Sequence, residues 1–168
     1  EHSEFNNSLS LKTLFCGGEL LKTKTARRAK QDLACDVVNL YGPTECCIDT
    51  TFWRFDEKLC YEAVPIGNLI NNLDCLVVDE NNHPVCRGQQ GELLVAGPSI
   101  FNGYFNDEKG TESAFYKDEN GKKYYRTGDY VQVLNDGVLY YLERIDKQVK
   151  VNGYRIELTE ISSAAESH

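Results

Sequence analysis

The sequence predicts a mixed α/β (α+β) fold in which a strand–helix–strand unit precedes a barrel-like sheet. An apolar run at residues 11 to 16 ends at a Gly-Gly pair and is followed by a Pro-free, helix-favouring stretch at residues 19 to 33. A second apolar run follows at residues 37 to 40, and the crossover between the two runs favours parallel pairing. After Tyr41 the pattern changes to short runs separated by turn residues, which is typical of antiparallel strands.

The second part of the chain is expected to be mostly β. Its strand-like runs are residues 48 to 55, 73 to 79, 92 to 96, 124 to 126, 130 to 134 and 138 to 142. Between the last two, Asp136-Gly137 predicts a tight two-residue turn, because both residue types tolerate positive φ. A short helix capped by Asn106 or Asp107 interrupts these strands. We therefore expect a compact, barrel-like sheet over residues 56 to 142.

The composition excludes several classes of function. The 168 residues carry 18 Lys and Arg against 26 Asp and Glu, a net charge of −8, which argues against binding to nucleic acid or an anionic membrane. The seven cysteines are odd in number and form no CxxC pair, so we expect free thiols and a cytoplasmic protein. No apolar run approaches the roughly 20 residues that cross a bilayer, and no membrane association is expected.

Residues 39 to 45, Asn-Leu-Tyr-Gly-Pro-Thr-Glu, place nucleotide-binding side chains at the predicted end of a strand. Tyr41 can stack on a base, Asn39 can bond a base edge, and Glu45 can hold the Mg²⁺ that accompanies phosphates. The bare pattern is equally compatible with an ordinary Gly-Pro turn beside a surface Glu.

Two later segments carry further candidate residues. In residues 125 to 129, Tyr-Arg-Thr-Gly-Asp, the carboxylate of Asp129 could accept both hydroxyls of a ribose, although a loop capped by its own Asp would look the same. In the alternating run at residues 143 to 157, Arg144, Asp146 and Lys150 share one face if the chain is extended. A solvated strand face would show the same alternation.

Taken together and in this order, these segments resemble the adenylate-forming enzymes, which include nonribosomal peptide synthetase adenylation domains, acyl-CoA synthetases and firefly luciferases. Gly-Glu-Leu-Leu-Val-Ala-Gly-Pro at residues 91 to 98 and Asp-Lys-Gln-Val-Lys-Val-Asn-Gly-Tyr-Arg-Ile-Glu at residues 146 to 157 complete the match. Gly-Gly-Glu at residues 17 to 19 is most like the amino-acid-activating branch. The resemblance implies an ATP-dependent ligase that forms an acyl-adenylate and pyrophosphate and then transfers the acyl group to a phosphopantetheine or coenzyme A thiol.

The resemblance also implies roles for individual residues. Residues implied to contact ATP or AMP are Gly17, Gly18, Asn39, Tyr41, Asp129, Tyr141, Arg144 and Lys150. Thr44 would contact the α-phosphate and Glu45 would hold Mg²⁺ in the catalytic centre, and Asp146 matches the hinge of a rotating carboxyl-terminal subdomain. Residues implied to line the acyl pocket are Phe15, Gly17, Leu40, Ile48 and Asp49. The expected partners are a small-molecule carboxylate, most simply an amino acid, and a peptidyl carrier protein.

By this resemblance, residues 1 to 55 end an α/β nucleotide-binding subdomain, residues 56 to 145 form a distorted β-barrel subdomain, and residues 146 to 168 begin a carboxyl-terminal subdomain. The family's phosphate loop, its acidic anchor for a substrate amine and its terminal catalytic lysine are not in the sequence, so we expect the isolated chain to be inactive. Glu143 stands where the family usually has Gly, beside Arg144. A fragment of an acyl- or aryl-CoA ligase and a noncatalytic nucleotide-binding or scaffold remnant remain as alternatives.

Overall fold

The computed structural model describes residues 10–146, 148–151, 154–157, 161, 164 and 165, and it confirms the mixed α/β class. The first part contains β1 (Thr13–Cys16), α1 (Thr23–Leu33), β2 (Asp36–Tyr41), a 3-10 helix (Thr44–Cys46), β3 (Thr51–Arg54) and β4 (Asn68–Leu69). The second part contains β5 (Asp74–Val78), β6 (Gln90–Ala96), α2 (Glu108–Ser113), β7 (Phe115–Lys117), β8 (Lys123–Val133), β9 (Leu139–Arg144), β10 (Gln148–Val151) and β11 (Tyr154–Glu157).

The predicted strand–helix–strand unit is confirmed. Strands β1 and β2 pair in parallel, with Cys16 opposite Asn39, and α1 forms the crossover between them. Ala26 on α1 and Val37 on β2 are fully buried and pack with Phe55, so the helix covers one face of the sheet. This arrangement brings the loops after β1 and β2 to the same edge of the sheet, where ligands of such units bind.

Helix α1 begins at Thr23, four residues later than the helix-favouring residues predict. Lys22 has an extended backbone and forms a bridge with Ala63, and the Thr23 amide donates to the carbonyl of Glu62 at 2.9 Å. This tertiary pairing satisfies the backbone of residues that would otherwise form the first turn. Local helix propensity is too weak to override it.

Strand β3 begins at Thr51, so the strand predicted from residue 48 starts three residues too early. Cys47 and Ile48 have φ values of +56° and +81°, and the second is rare for a β-branched residue. Gly42 makes room for this turn, because a Cβ on it would lie 2.2 Å from the carbonyl oxygen of Ile48. Antiparallel pairing resumes at Thr51, which lies opposite Tyr41.

The second sheet has the order β5-β6-β8-β7, with β9 also paired to β8. The runs predicted as separate strands at residues 124 to 126 and 130 to 134 form the single strand β8, which is bulged where it faces β6 and β9. Leu93, Val95 and Val131 form its fully buried core. Backbone hydrogen bonds between Gly67 and Leu139 connect this sheet to the first one.

The predicted hairpin between β8 and β9 is confirmed, but its loop is longer than two residues. The Gly137 amide donates to the Leu134 carbonyl at 2.8 Å, and the Leu134 amide donates to the Val138 carbonyl at 2.8 Å. Gly137 has a φ of +91°, whereas Asp136 is outside the left-handed region. A three-residue loop of this kind needs only one positive φ, so Asp136 need not adopt one.

The predicted short helix is also confirmed as α2, where the Asp107 side chain accepts from the Gly110 amide at 2.8 Å. Strands β10 and β11 form the expected last hairpin, while its predicted Asn152-Gly153 turn lies outside the described residues. The subdomain boundaries stay predictions. All seven cysteine thiols are free, and none of the helices in the described residues is long and apolar enough to cross a bilayer.

Candidate nucleotide site

A cavity of about 560 Å³ lies beyond the carboxyl ends of β1 and β2. The loops after these strands contribute residues 18 to 21 and 42 to 44, β2 contributes residues 39 to 41, and more distant segments contribute Ile66, Asp129, Tyr141, Arg144 and Gln148. The sequence separation of these segments means that only the folded chain forms the cavity. Among the described residues that line it, Arg144 is the one cation.

The carboxylate of Asp129 is held at two points of the cavity wall. The residue is 5% exposed, and its two carboxylate oxygens accept hydrogen bonds from the Tyr41 hydroxyl and from Arg144 Nη1, the latter at 3.1 Å. Each carboxylate oxygen has a second lone pair, so the group can accept further hydrogen bonds. The arrangement presents to the cavity a carboxylate that its pairing with Arg144 holds in position.

The two tyrosines of the cavity are neutral near pH 7. Burial, together with the charge of Asp129, raises the pKa of Tyr41 well above its ordinary value. Burial and the same charge raise the pKa of Tyr141 to about 12. Both phenols are therefore hydrogen-bond donors, and neither adds negative charge where a phosphate would bind.

Arg144 joins Asp129 to the predicted hinge residue. Its Nη1 also donates to the Thr127 carbonyl at 3.0 Å, its Nε donates to Asp146 Oδ1 at 2.9 Å, and its Nη2 donates to Asp146 Oδ2. Such a two-point contact between a guanidinium and a carboxylate fixes the orientation of both groups. One guanidinium thus connects β8 and the end of β9 to Asp146, which lies two residues beyond that strand.

Asn39 lies on β2 with a single free side-chain acceptor. Its Nδ2 donates to the carbonyls of Pro65 at 2.9 Å and Val64 at 3.3 Å, whereas its buried Oδ1 has no partner in the described part of the chain. A buried amide oxygen left unpaired costs free energy until a donor reaches it. Gly17 approaches the same strand closely, because a Cβ there would lie 3.2 Å from the Leu40 carbonyl oxygen.

Glu45 lies on the 3-10 helix behind the cavity wall, while its neighbour Thr44 lines the cavity. Glu45 is 7% exposed, and its Oε1 accepts from the Tyr104 hydroxyl at 3.0 Å. No group of three or more metal-binding side chains occurs among the described residues. A single carboxylate still fits Mg²⁺, which commonly takes one or two protein carboxylates and completes its shell with phosphate oxygens and water.

The structure does not bring all of the predicted site residues together. Gly18, Asn39, Leu40, Tyr41, Thr44, Asp129, Tyr141 and Arg144 line the cavity. Phe15 and Ile48 are 63% and 77% exposed and lie away from the cavity wall, as does Asp49. The side chain of Lys150 lies outside the described residues.

Sequence reasoning missed three residues of the site and its support. Gln148 is 6% exposed and lines the cavity, and its backbone N–H donates to Asp146 Oδ1 at 3.1 Å. An Asp two residues earlier is a sequence signal for this kind of turn. Ile66 lines the cavity from a segment of no recognisable strand pattern. Tyr104 reaches Glu45 across 59 residues, which no local pattern indicates.

The chain is similar to a known enzyme family. Residues 1–105 match the family model described as AMP-binding enzyme. The chain is 42% identical over 161 residues to tyrocidine synthase 3 of Brevibacillus parabrevis, covering 95% of this chain and 2% of that protein. It is 39% identical over 150 residues to a D-alanine–D-alanyl carrier protein ligase of Lactiplantibacillus plantarum, covering 88% of this chain and 29% of that protein.

Solved structures give the same result. The Vibrio cholerae adenylation domain AlmE, in complex with glycyl-adenosine-5′-phosphate, superposes on this chain with a TM-score of 0.85 at 38% identity. The match covers 94% of this chain and 31% of the AlmE chain. PA1221, which contains adenylation and PCP domains, superposes with a TM-score of 0.85 at 32% identity and covers 92% of this chain and 32% of its own. The chain thus spans less than a third of the length of these relatives. It belongs to the AMP-binding enzyme family of adenylate-forming ligases.

Proposed function

We propose that the protein containing this chain is an ATP-dependent amino-acid-adenylating enzyme that passes its aminoacyl group to a carrier-protein thiol. The observation that carries the proposal is the cluster of Tyr41, Asp129 and Arg144 at one wall of the cavity. It offers an aromatic ring, an ionised acceptor and a cation, which match the base, ribose and phosphates of ATP. In the cell we expect the protein in the cytoplasm.

The nucleoside would lie against β2. The ring of Tyr41 would stack on adenine, and Asn39 Oδ1, which lacks a protein partner in the described residues, would accept from the adenine amino group. Gly18 lets the backbone after β1 pass close to the base, with Gly17 packed on Leu40 behind it. The carboxylate of Asp129 would accept both ribose hydroxyls, assisted by Tyr141 at the same wall.

The phosphates would extend toward Thr44 and Arg144. The Thr44 hydroxyl would donate to the α-phosphate, and Arg144 would offset part of its charge. Glu45 would hold Mg²⁺ together with phosphate oxygens, and the ion would supply positive charge at the departing pyrophosphate. Lys150, at the register position opposite Arg155 in the last hairpin, is a proposed second cation for the same phosphates.

The reaction proposed at this site has two steps. A carboxylate oxygen of the amino acid attacks the α-phosphorus of ATP, the bond to the bridging oxygen breaks, and pyrophosphate leaves. A phosphopantetheine thiolate then attacks the carbonyl carbon of the adenylate, forming a thioester and releasing AMP. Between these steps the chain would rotate about Asp146, with the loss of its contact to Arg144 accompanying the change in backbone angles.

The acyl group would bind beside the α-phosphate, next to Leu40. Phe15, Gly17, Ile48 and Asp49 are the other proposed pocket residues. Phe15 and Ile48 expose apolar surface that a substrate side chain or a further part of the protein would cover. A pocket of this composition would be mostly apolar with one acid, and the identity of the amino acid is left to experiment.

A carrier protein is favoured over coenzyme A as the acceptor. Among the relatives, one is named as a carrier protein ligase, and PA1221 contains a PCP domain next to its adenylation domain. Acyl- or aryl-CoA ligation is the competing function. It predicts activation of simple acids, with no preference for an α-amino group.

The test is carboxylate-dependent exchange of pyrophosphate into ATP by the full-length protein. A panel of amino acids is compared with fatty and aryl acids, and the isolated 168-residue chain serves as a control. Exchange stimulated by one or a few amino acids supports the proposal, whereas stimulation by simple acids alone supports the ligase alternative. A folded full-length protein that exchanges with none of these acids contradicts both.

A further inference from the structure

Strand β8, which carries Asp129, has a break in its pairing with β6 next to that residue. Glu92 on β6 lies opposite Tyr130 on β8, and Leu94 lies opposite Arg126. Between these pairs β6 has one residue, whereas β8 has three, Thr127 to Asp129. This segment, here called the β8 bulge, interrupts the pairing of β8 with β6, while Asp129 stays paired with Arg144 on β9.

Two backbone amides of the bulge are bonded to side chains of β6 and β8, while its Thr127 and Gly128 carbonyls accept from Arg144 and from the Ile145 amide. Thr127 Oγ1 donates to the Leu93 carbonyl at 2.7 Å and accepts from the Asp129 amide at 3.0 Å. Glu92 Oε1 accepts from the Gly128 amide at 3.3 Å. Because an unpaired amide in a partly buried bulge is costly, these contacts select one bulge conformation.

Glu92 is itself held in place from its other side. Its Oε2 accepts from Arg126 Nη1, and the same guanidinium donates to Asn82 Oδ1 through Nη2. The charged pair is mostly buried, so it limits the positions that the Glu92 carboxylate can take. Glu92 does not line the cavity, and its contact with the bulge is to the backbone amide of Gly128, the residue before Asp129.

We propose that Glu92 is a positioning residue for ribose recognition, acting through the β8 bulge on the carboxylate of Asp129. The inference rests on the proposed function, since it assumes that Asp129 accepts the ribose hydroxyls. With Glu92 intact, the Gly128 peptide is fixed, and the Asp129 carboxylate has a single position relative to the sheet. Without that carboxylate, the bulge has several conformations, and the bidentate ribose contact forms in only a part of them.

The test uses the full-length protein and compares the Kd values of ATP and 2′,3′-dideoxy-ATP, which lacks both ribose hydroxyls. Glu92→Gln preserves the size of the side chain but removes the charge that holds Arg126. We expect it to weaken ATP binding about tenfold and to leave the dideoxy analogue within about twofold of wild type. Thr127→Val, which removes the hydroxyl contacts to the Leu93 carbonyl and the Asp129 amide and leaves Glu92 in place, should give the same selective loss.

The comparison of two nucleotides separates positioning from general damage. Glu119→Gln, the same change at an exposed position, should bind both nucleotides as wild type does. The positioning role is overturned if Glu92→Gln and Thr127→Val weaken the binding of both nucleotides equally. It is also overturned if these variants bind ATP as tightly as wild type does.

A failure of the underlying proposal gives a different result. In that case the wild-type protein binds ATP and the dideoxy analogue equally well, and Asp129→Ala binds ATP as tightly as wild type. These two results would overturn ribose recognition by Asp129, and the positioning role with it. The wild-type ratio of the two Kd values therefore shows which of the two inferences has failed.

Discussion

Replacing Asp129 with Asn is the substitution for which the structure gives the clearest expectation. The wild-type carboxylate is almost fully buried and already accepts from Tyr41 and Arg144. The amide of Asn keeps one oxygen, which Arg144 would retain, and its NH₂ group would turn toward the Tyr41 oxygen. The nucleotide would thus lose one acceptor and the negative charge that strengthens both ribose contacts.

The expected loss follows from these contacts. Hydrogen bonds to a charged group contribute about 1.5 to 3 kcal/mol each, so weakening two of them costs ATP binding about 2 to 4 kcal/mol. At about 1.4 kcal/mol per tenfold change, the Kd for ATP should rise about 30- to 700-fold. Isothermal titration calorimetry on the full-length variant measures this directly.

Asp32→Asn is the matched control, because it makes the same chemical change at an exposed acid whose partner is the surface residue Arg28. It should leave the Kd unchanged. A Kd for Asp129→Asn within about twofold of wild type, in a variant that melts at the wild-type temperature, would refute the ribose assignment.

Four further outcomes are expected. Gly128→Ala should destabilise the protein in urea by roughly 1 to 2 kcal/mol more than Gly121→Ala. Both glycines have positive φ, but only a Cβ at Gly128 would crowd other side chains, at 2.9 Å from Arg144 Nη2 and 3.0 Å from Asp146 Oδ2. Glu45→Gln should raise the Mg²⁺ concentration needed for half-maximal ATP binding about tenfold or more, as followed by calorimetry at varied Mg²⁺. Asp146→Pro should suppress thioester formation but not pyrophosphate exchange, whereas Asp146→Ala, with its free backbone, should retain both. The fold raises the pKa of Tyr141 to about 12. Its contribution to stability is therefore complete below pH 10 and is lost as the pH rises toward 12. Between these pH values, thermal melts should show a smaller fall in melting temperature for Tyr141→Phe than for wild type.

The local sequence predicted most of the elements but not where they begin. The β1–α1–β2 unit and the β8–β9 hairpin follow from hydrophobic patterning and turn chemistry. The start of α1 depends on the pairing of Lys22 with Ala63, about 40 residues away along the chain, and the start of β3 depends on the left-handed turn at Ile48. Both are tertiary effects that a window of neighbouring residues does not contain.

The candidate site was predictable to a similar degree and for the same reason. The motifs identified Tyr41 and Asp129 as separate candidates, but the hydrogen bond between them joins residues 88 positions apart. Within the sequence, only the resemblance to a family links them. Tyr104 donates a hydrogen bond to Glu45, and Glu92 accepts one from the β8 bulge. The local sequence around Tyr104 and Glu92 shows no sign of a ligand site.

A crystal structure of the full-length protein with Mg²⁺ and a non-hydrolysable ATP analogue would test the central claim most directly. Adenine should lie against the ring of Tyr41, with both ribose hydroxyls within about 2.5 to 3.2 Å of the Asp129 carboxylate. A nucleotide bound elsewhere, with no contact to Tyr41 or Asp129, would refute the proposed site.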